Sequence, residues 1–129
     1  DGPLETAVLK RLASWAATFT PVVSIDGDQA LLLEIRGSLQ LFGGAEEMRT
    51  LLRQGLHARG HEPVISCAPT AYGSLWLARA GVECMLLTRD ELRHRLLPVP
   101  VECLGWPAAT LRMLRQMGIR RLGECVRLP

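Results

Sequence analysis

The sequence predicts an α+β fold in which a β-hairpin and several helices precede a short, purely helical C-terminal part. Apolar residues recur with helical spacing near the start, a Gly-Asp turn separates two β-prone runs, and residues 99–129 show helix signals only. The chain has 129 residues, 48% of them hydrophobic, so it is large and apolar enough to bury a core. This composition excludes a disordered chain.

The first part of the chain is predicted to form a helix followed by the hairpin. Apolar residues from Val8 to Phe19 recur at spacings of four, three and four, the period of one buried stripe on a helix over residues 3–19. Pro21 stops this helix, and the runs 22–26 and 30–35 are predicted as paired antiparallel strands. Because the second run is almost entirely apolar, we expect it to be a central strand with both faces covered.

Residues 37–44 contain three glycines and are predicted to be a packed loop that buries Leu39, Leu41 and Phe42. A second helix is predicted over residues 45–59. Its first turn carries two glutamates, which the helix dipole favours, and a glycine follows its end. We expect the hairpin to pack under this helix and the first one.

Strand character returns at residues 62–68 and again, more briefly, at 84–87. Between them, a third helix is predicted over residues 71–80, because Thr70 can cap its start and Gly81 can end it. The order of elements is therefore predicted to be αββαβα, followed by a further short strand.

The four residues Thr88–Glu91 form a capping-box pattern, which predicts a fourth helix through Leu97. The prolines of Pro98–Pro100 then break the chain, so we place a domain boundary there. This divides the chain into a predicted α+β domain, residues 1–98, and a helical segment, residues 99–129.

The helical segment is predicted to be a hairpin of two helices, residues 107–117 and 122–128, joined by a turn at Gly118. The formal charge of the whole chain is only +2, but this end is the basic end, with Glu124 as its single acid from Leu111 onward. Clustered arginines are the electrostatic footprint of a phosphate-binding surface. The arginines are Arg112, Arg115, Arg120, Arg121 and Arg127.

The run from Leu111 to Pro129, L-R-M-L-R-Q-M-G-I-R-R-L-G-E-C-V-R-L-P, resembles the helix-hairpin-helix motif L-x-x-L-G-I-x-T-x-G-D-L of Y-family DNA polymerases. In that motif, backbone N–H groups at the glycine turn approach a DNA phosphate, and nearby arginines add attraction. The turn at Leu104–Pro107 occupies the place of a first such turn, degraded by Trp106 and Pro107. The resemblance implies these DNA-binding residues: Arg112, Arg115, Gly118, Ile119, Arg120, Arg121 and Gly123.

Three earlier stretches extend the resemblance. The hairpin from Val22 to Gly37 is similar to the palm hairpin written S-x-D-E-A-F-L-D-x-T-G, and Leu41–Glu46, L-F-G-G-A-E, is similar to the L-F-G-G-E of the ImuB type. Residues 67–79 resemble the family's G-I-A-x-N-K-x-L-A-K, although Tyr72-Gly73 replaces the basic residue. The chain thus resembles a Y-family DNA-polymerase-like protein of the ImuB type, which implies a partial ferredoxin-like palm followed by the helix-hairpin-helix segment.

A polymerase palm transfers nucleotides with two metal ions held by paired carboxylates. Here Asp26 matches the first carboxylate, but Gly27 stands where the family has Glu. Asp26 is therefore interpreted as a relic, Asp28 as a turn former and Glu34 as structural, with no catalytic residue and no metal site predicted. The resemblance implies that the chain is a homologue of nucleotidyltransferases that is not expected to be an enzyme by itself. Magnesium is expected only if the parent is an active polymerase.

The resemblance implies a role in DNA repair, as a non-catalytic, DNA-binding protein of translesion synthesis and damage-induced mutagenesis within the SOS response. A fragment of an active translesion polymerase is the alternative, and an α+β interaction domain whose tail packs on a partner is a third. The expected partners are DNA and, through parts of the parent outside this chain, a sliding clamp and an error-prone polymerase. The expected location is the bacterial cytoplasm, at the nucleoid, without membrane contact; the four cysteines, without metal-ligand spacing, are expected to be reduced.

Overall fold

A computed structural model of the chain describes residues 3–27, 29–86 and 88–125. The elements, in chain order, are α1 Pro3–Ala16, β1 Val23–Asp26, β2 Ala30–Leu33, a first 3-10 helix Arg36–Phe42, α2 Ala45–Ala58, α3 Ala71–Arg79, α4 Arg89–Leu96, a second 3-10 helix Val101–Cys103, α5 Ala108–Gln116 and α6 Leu122–Cys125. The predicted α+β class is confirmed. The chain divides into two compact units, Asp1–Pro63 and Val64–Pro129.

The hairpin of the first unit is antiparallel, with Val23 opposite Leu33 and Asp26 opposite Ala30. This confirms the predicted pairing. Helix α1 packs against both strands. The prediction that β2 is a central, fully covered strand is wrong for the described residues: the sheet there has two strands, and every residue of β2 is half-buried. Its apolar run reflects packing on α1 and β1 rather than burial between two strand neighbours.

Aromatic side chains hold α1 against its neighbours in the first unit. Trp15 meets Phe19 edge-on, with ring centroids 5.2 Å apart, and Phe19 lies 5.1 Å from Phe42. Trp15 also packs onto Gly55 of α2, where a Cβ atom would lie only 2.1 Å from the indole ring. The guanidinium of Arg59 covers the same ring at 4.6 Å, a cation–π contact. A glycine in α2 is thus required by the indole of α1.

The prediction for residues 37–44 was wrong in two respects. Residues Arg36–Phe42 form a 3-10 helix rather than an irregular loop, and the side chain of Leu41 is 83% exposed. Leu39 and Phe42 are half-buried. Successive residues of a 3-10 helix point about 120° apart, so three neighbouring apolar side chains cannot all face one core. Gly43, at φ +84°, ends the helix.

Helices α3 and α4 of the second unit begin at the predicted caps. The Thr70 hydroxyl accepts a hydrogen bond from the Gly73 N–H at 3.0 Å. The Thr88 hydroxyl accepts from the Glu91 N–H at 3.1 Å and donates to the Glu91 carboxylate at 3.0 Å. Side-chain caps of this kind satisfy N–H groups that have no partner within the helix. The Thr88 cap predicted from Thr88–Glu91 is confirmed, but the Glu91 carboxylate accepts from the Thr88 hydroxyl.

The two predicted strands of the second unit are reduced to one contact. Cys67 and Met85 form an isolated parallel bridge: the Cys67 N–H donates to the Cys84 carbonyl, and the Leu86 N–H donates to the Cys67 carbonyl, both at 2.9 Å. The predicted strand over 62–68 is therefore not a ladder. Leu87, at the end of the second predicted strand, lies outside the described residues.

One hydrophobic core serves the second unit and includes residues on both sides of the predicted boundary near 98–101. Leu77 and Leu104 are almost completely buried at its centre. The predicted division into a palm-like domain and a separate helical segment was based on the proline break and on the family resemblance, and it stays a prediction. The core residues are Leu77, Cys84, Leu86, Leu92, Val99, Val101, Leu104, Leu114 and Ile119.

The predictions for the cysteines and for membrane contact are compared with the described residues in turn. All four cysteines lie among the described residues and carry free thiols; Cys84 is buried and the others are half-buried. Among the residues that the structure describes, no helix has both the length and the apolar character needed to cross a membrane.

Candidate nucleic-acid interface

Helix α5 has one apolar face and one arginine-bearing face. Leu114 is buried in the core of the second unit, and Leu111 packs against that core. Arg112 and Arg115 are exposed. No acidic residue occurs in α5, so both guanidinium groups extend into solvent from a helix without carboxylates of its own. The amphipathic pattern of the helix thus fixes which side presents positive charge.

The turn after α5 is closed by backbone hydrogen bonds. Gly118 adopts φ +77°, a conformation that glycine takes readily, and its N–H donates to the Arg115 carbonyl at 3.0 Å. The Ile119 N–H donates to the Leu114 carbonyl at 2.8 Å, while the Ile119 side chain lies in the core. This is the usual way in which a glycine ends a helix. The N–H groups of Gly118 and Ile119 are therefore already paired.

Arg120 and Arg121 lie on a segment whose backbone is hydrogen-bonded to the chain near Pro100. The Val101 N–H donates to the Arg120 carbonyl, and the Leu122 N–H donates to the Val99 carbonyl, both at 2.9 Å. Pro100 and Arg121 form an isolated antiparallel bridge. These contacts fix the backbone of Arg120 and Arg121 while both side chains remain exposed.

Gly123 has a packing role that the sequence did not suggest. Its N–H donates to the Leu97 carbonyl at 2.9 Å, and a Cβ atom at this position would lie 3.0 Å from the same oxygen. Such an approach is tighter than about nine in ten real Cβ contacts, so a larger residue would require the Leu97 backbone or α6 to shift by a few tenths of an ångström. The glycine lets these two backbone segments meet.

Glu124 is the residue of this region that sequence reasoning undervalued. Its carboxylate accepts hydrogen bonds from the N–H groups of Arg120 at 3.2 Å and Arg121 at 3.0 Å. In a capping box, a glutamate three residues after the N-cap accepts a hydrogen bond from the N-cap backbone N–H. Glu124 makes this half of the box with Arg121. The signal was present as the spacing from Arg121 to Glu124, but an arginine stands where the pattern expects Ser or Thr.

Four of the seven predicted DNA-binding residues are exposed cations on α5 and the turn that follows it. We call Arg112, Arg115, Arg120 and Arg121 the arginine face. The other three have structural roles: Gly118 forms the turn, Ile119 packs in the core, and Gly123 packs against the Leu97 backbone. Their part in DNA binding stays a prediction. Between Cys103 and Gly123 the sequence contains no acidic residue, so Glu124 is the nearest carboxylate in sequence on the C-terminal side.

This chain aligns over its full length with known proteins. It is 33% identical over 130 aligned residues to protein ImuB from two strains of Caulobacter vibrioides, and each alignment covers 100% of this chain. The chain is ImuB-like along its whole length. It spans 28% of the length of each ImuB relative. No model of a known protein family and no solved structure matches the chain.

The stretch that resembled ImuB most specifically, L-F-G-G-A-E, joins the first 3-10 helix to α2. Gly43 and Gly44 have φ values of +84° and +107°, and Gly44 precedes the first residue of α2. Both angles lie in the region that favours glycine over other residues. The two glycines of this ImuB-like stretch therefore have a conformational role, which is to turn the chain sharply into a helix.

The carboxylates of the ImuB-like hairpin lie at opposite ends of it. Asp26 pairs with Ala30 beside the turn, whereas the Glu34 N–H donates to the Val22 carbonyl at the far end. Four residues of strand separate these ends, about 13 Å. The Glu34 carboxylate accepts from the Arg36 N–H at 3.1 Å, which is the structural role predicted for it. Asp28 lies outside the described residues, and within the described ranges no three His, Cys, Asp or Glu residues are grouped to hold a metal.

The turn at Leu104–Pro107, predicted to be a degraded phosphate site, is covered by an arginine. The Arg79 guanidinium donates to the Leu104 carbonyl at 3.1 Å and lies against Gly105. Trp106 meets Trp76 edge-on at 6.0 Å. This ImuB-like turn is thus packed on α3, and its loss of phosphate binding stays a prediction.

Proposed function

We propose that this ImuB-like chain binds DNA without catalysing nucleotide transfer, as part of damage-induced mutagenesis. The observation that carries the proposal is the arginine face, in which four exposed guanidinium groups lie on one helix and its following turn. Guanidinium groups bind phosphate with charge-assisted, often bidentate hydrogen bonds. A surface of this kind attracts the DNA backbone regardless of base sequence.

Charge distribution supports this location. The unit Val64–Pro129 contains nine arginines and five acidic residues, whereas the unit Asp1–Pro63 contains six basic and eight acidic residues. The net charge of the whole chain is therefore small although the second unit is basic and the first unit is acidic. Because phosphate attraction depends on local potential rather than on net charge, the second unit is the part expected to meet DNA.

The contacts are expected to come from arginine side chains rather than from the backbone of the turn. The N–H groups of Gly118 and Ile119 donate to carbonyls of α5, and those of Arg120 and Arg121 donate to Glu124. A phosphate would have to displace these partners to reach the amides. Guanidinium contacts require no such exchange, so binding of this kind is expected to be weak, sequence-independent and salt-sensitive.

Replacing Arg120 and Arg121 with alanine tests the proposal. The double variant removes up to two phosphate contacts, so the slope of log affinity against log salt should fall by about 1 to 2 units on duplex DNA. Fluorescence anisotropy of a labelled duplex, titrated at several salt concentrations, measures it. The matched control is Arg11→Ala with Arg36→Ala, which removes the same charge from the first unit and should leave the slope unchanged. Equal slopes for the wild type and the Arg120, Arg121 variant would contradict the proposal.

Replacing Glu124 with glutamine should raise affinity for duplex DNA. Glutamine keeps a carbonyl oxygen for the N–H groups of Arg120 and Arg121, but it removes the negative charge beside them. Two unit charges about 6 Å apart in water interact by roughly 0.7 kcal/mol, so affinity should rise about three-fold at low salt. The same anisotropy titration measures this. If affinity falls or does not change, phosphate does not approach this side of the turn.

The absence of catalysis is proposed from the hairpin. Two-metal nucleotidyl transfer requires carboxylates that can share ions about 4 Å apart. Asp26 and Glu34 lie at opposite ends of the hairpin, and among the described residues no three His, Cys, Asp or Glu side chains are grouped to hold a metal. Contacts with a sliding clamp and an error-prone polymerase are assigned to parts of ImuB-like proteins outside these 129 residues.

A further inference from the structure

A row of aromatic rings lies on α3, apart from the arginine face in sequence. Tyr72 and Trp76 are one helical turn apart, with ring centroids separated by 6.0 Å, and Trp106 continues the row at a further 6.0 Å. Trp76 and Trp106 are half-buried against the core, whereas Tyr72 is 67% exposed. The core therefore holds the inner two rings in place and leaves the outer ring facing solvent.

One arginine lies on the same helix as the row. Arg79 stands two turns after Tyr72 on the same side of α3, at an exposed position, with one guanidinium nitrogen on the Leu104 carbonyl. Residues 64–82 and 103–123, which contain the three rings, include no acidic residue, and Glu83 and Glu102 adjoin these stretches. An aromatic surface with an arginine on the same helix is complementary to an anion that also carries flat rings.

Single-stranded nucleic acid has this chemistry. Its bases expose faces that stack on aromatic side chains, and its backbone carries one negative charge for each nucleotide. We propose that the Tyr72 ring stacks on an unpaired base while Arg79 contacts a phosphate of the same strand. Seven residues of helix separate the two side chains, a rise of about 10 Å, so the surface spans a few nucleotides. An apolar protein partner would use the rings but would not require the charge.

This inference is independent of the arginine face, because that surface was assigned to phosphates of duplex DNA and uses no base. The two are distinguishable by substrate. Loss of duplex binding in the Arg120, Arg121 variant would leave the aromatic row untested, whereas a change at Tyr72 should affect only single strands. Tyr72 is also suited to substitution, since it is largely exposed and lies outside the core cluster.

The test is fluorescence anisotropy of a labelled oligothymidylate with the 129-residue chain. One lost base–aromatic stack weakens binding by at least about five-fold, so the Tyr72→Ala variant should show a loss of that size or more for the oligothymidylate and none for a duplex. The Tyr72→Phe variant keeps the ring and should bind like the wild type. An abasic oligonucleotide of equal length and charge should bind the wild type more weakly than oligothymidylate does, and Tyr72→Ala should remove most of that difference.

Three results would overturn the proposal. They are the absence of oligothymidylate binding by the wild type, equal affinity of the wild type and Tyr72→Ala, and equal affinity for the abasic and base-bearing strands. Circular dichroism of the Tyr72→Ala variant should match that of the wild type, which separates loss of stacking from loss of folding.

Discussion

Replacing Leu77 with alanine is expected to lower the free energy of unfolding of the second unit by about 2 to 5 kcal/mol, because the side chain is completely buried and its removal leaves a cavity. A loss of this size is a large part of the total stability of most domains. Leu77 belongs to the same core cluster as Leu114 and Ile119, so the unfolding should include α5 and the turn that carries the arginine face. Urea denaturation measures the first effect, and loss of duplex binding near the midpoint measures the second.

The matched control is Leu41→Ala, which makes the same chemical change at a position that is 83% exposed. Surface substitutions of this kind usually alter stability by less than about 0.5 kcal/mol. If Leu77→Ala unfolds residues 64–98 but leaves the helical segment folded and able to bind DNA, the segment is an independent domain. That outcome would contradict a shared core.

Replacing Gly55 with alanine is expected to destabilise the first unit by roughly 1 to 3 kcal/mol, the usual range for an overpacked site. The expected sign is opposite to the usual one, since alanine in the middle of a helix is normally favoured over glycine by about 0.5 to 1 kcal/mol. The added methyl would lie 2.1 Å from the Trp15 ring. That ring cannot move aside without disturbing Phe19 and Arg59, which contact it.

Two further variants separate a steric clash from a general effect of substitution. Gly37→Ala adds the same methyl where no atom lies within 4 Å, and it should change stability little. Adding Trp15→Leu to Gly55→Ala should remove most of the additional cost, because the smaller side chain leaves space for the methyl. Strictly additive losses in the double variant would show that Gly55 and Trp15 do not interact as described.

The sequence predicted those elements whose signals are local. The side-chain caps at Thr70 and Thr88 and the glycine-ended helices depend on residues a few positions apart, and each occurs where predicted. The burial of β2 and the conformation of residues 36–42 depend on which other segments pack against them in the folded chain. Periodicity in a short apolar run does not contain that information.

The candidate site divides in the same way. Exposed arginines on α5 follow from helical periodicity, so the positions of Arg112 and Arg115 could be predicted from sequence. The hydrogen bonds that join Arg120 to Val101 and Leu122 to Val99 connect residues about twenty positions apart. No sequence pattern predicts them. The role of Glu124 lay between these cases, because its spacing was recognisable but its partner was not Ser or Thr.

The paired indoles of the second unit have a spectroscopic consequence. Trp76 and Trp106 meet at 6.0 Å with their planes inclined by 78°, close enough for their electronic transitions to couple. Coupled indoles in a fixed, non-planar arrangement give an exciton signal in circular dichroism. Trp15, the third tryptophan, lies in the other unit against a phenylalanine and an arginine. The exciton signal would therefore follow the second unit alone, so that its melting could be recorded separately from that of the first.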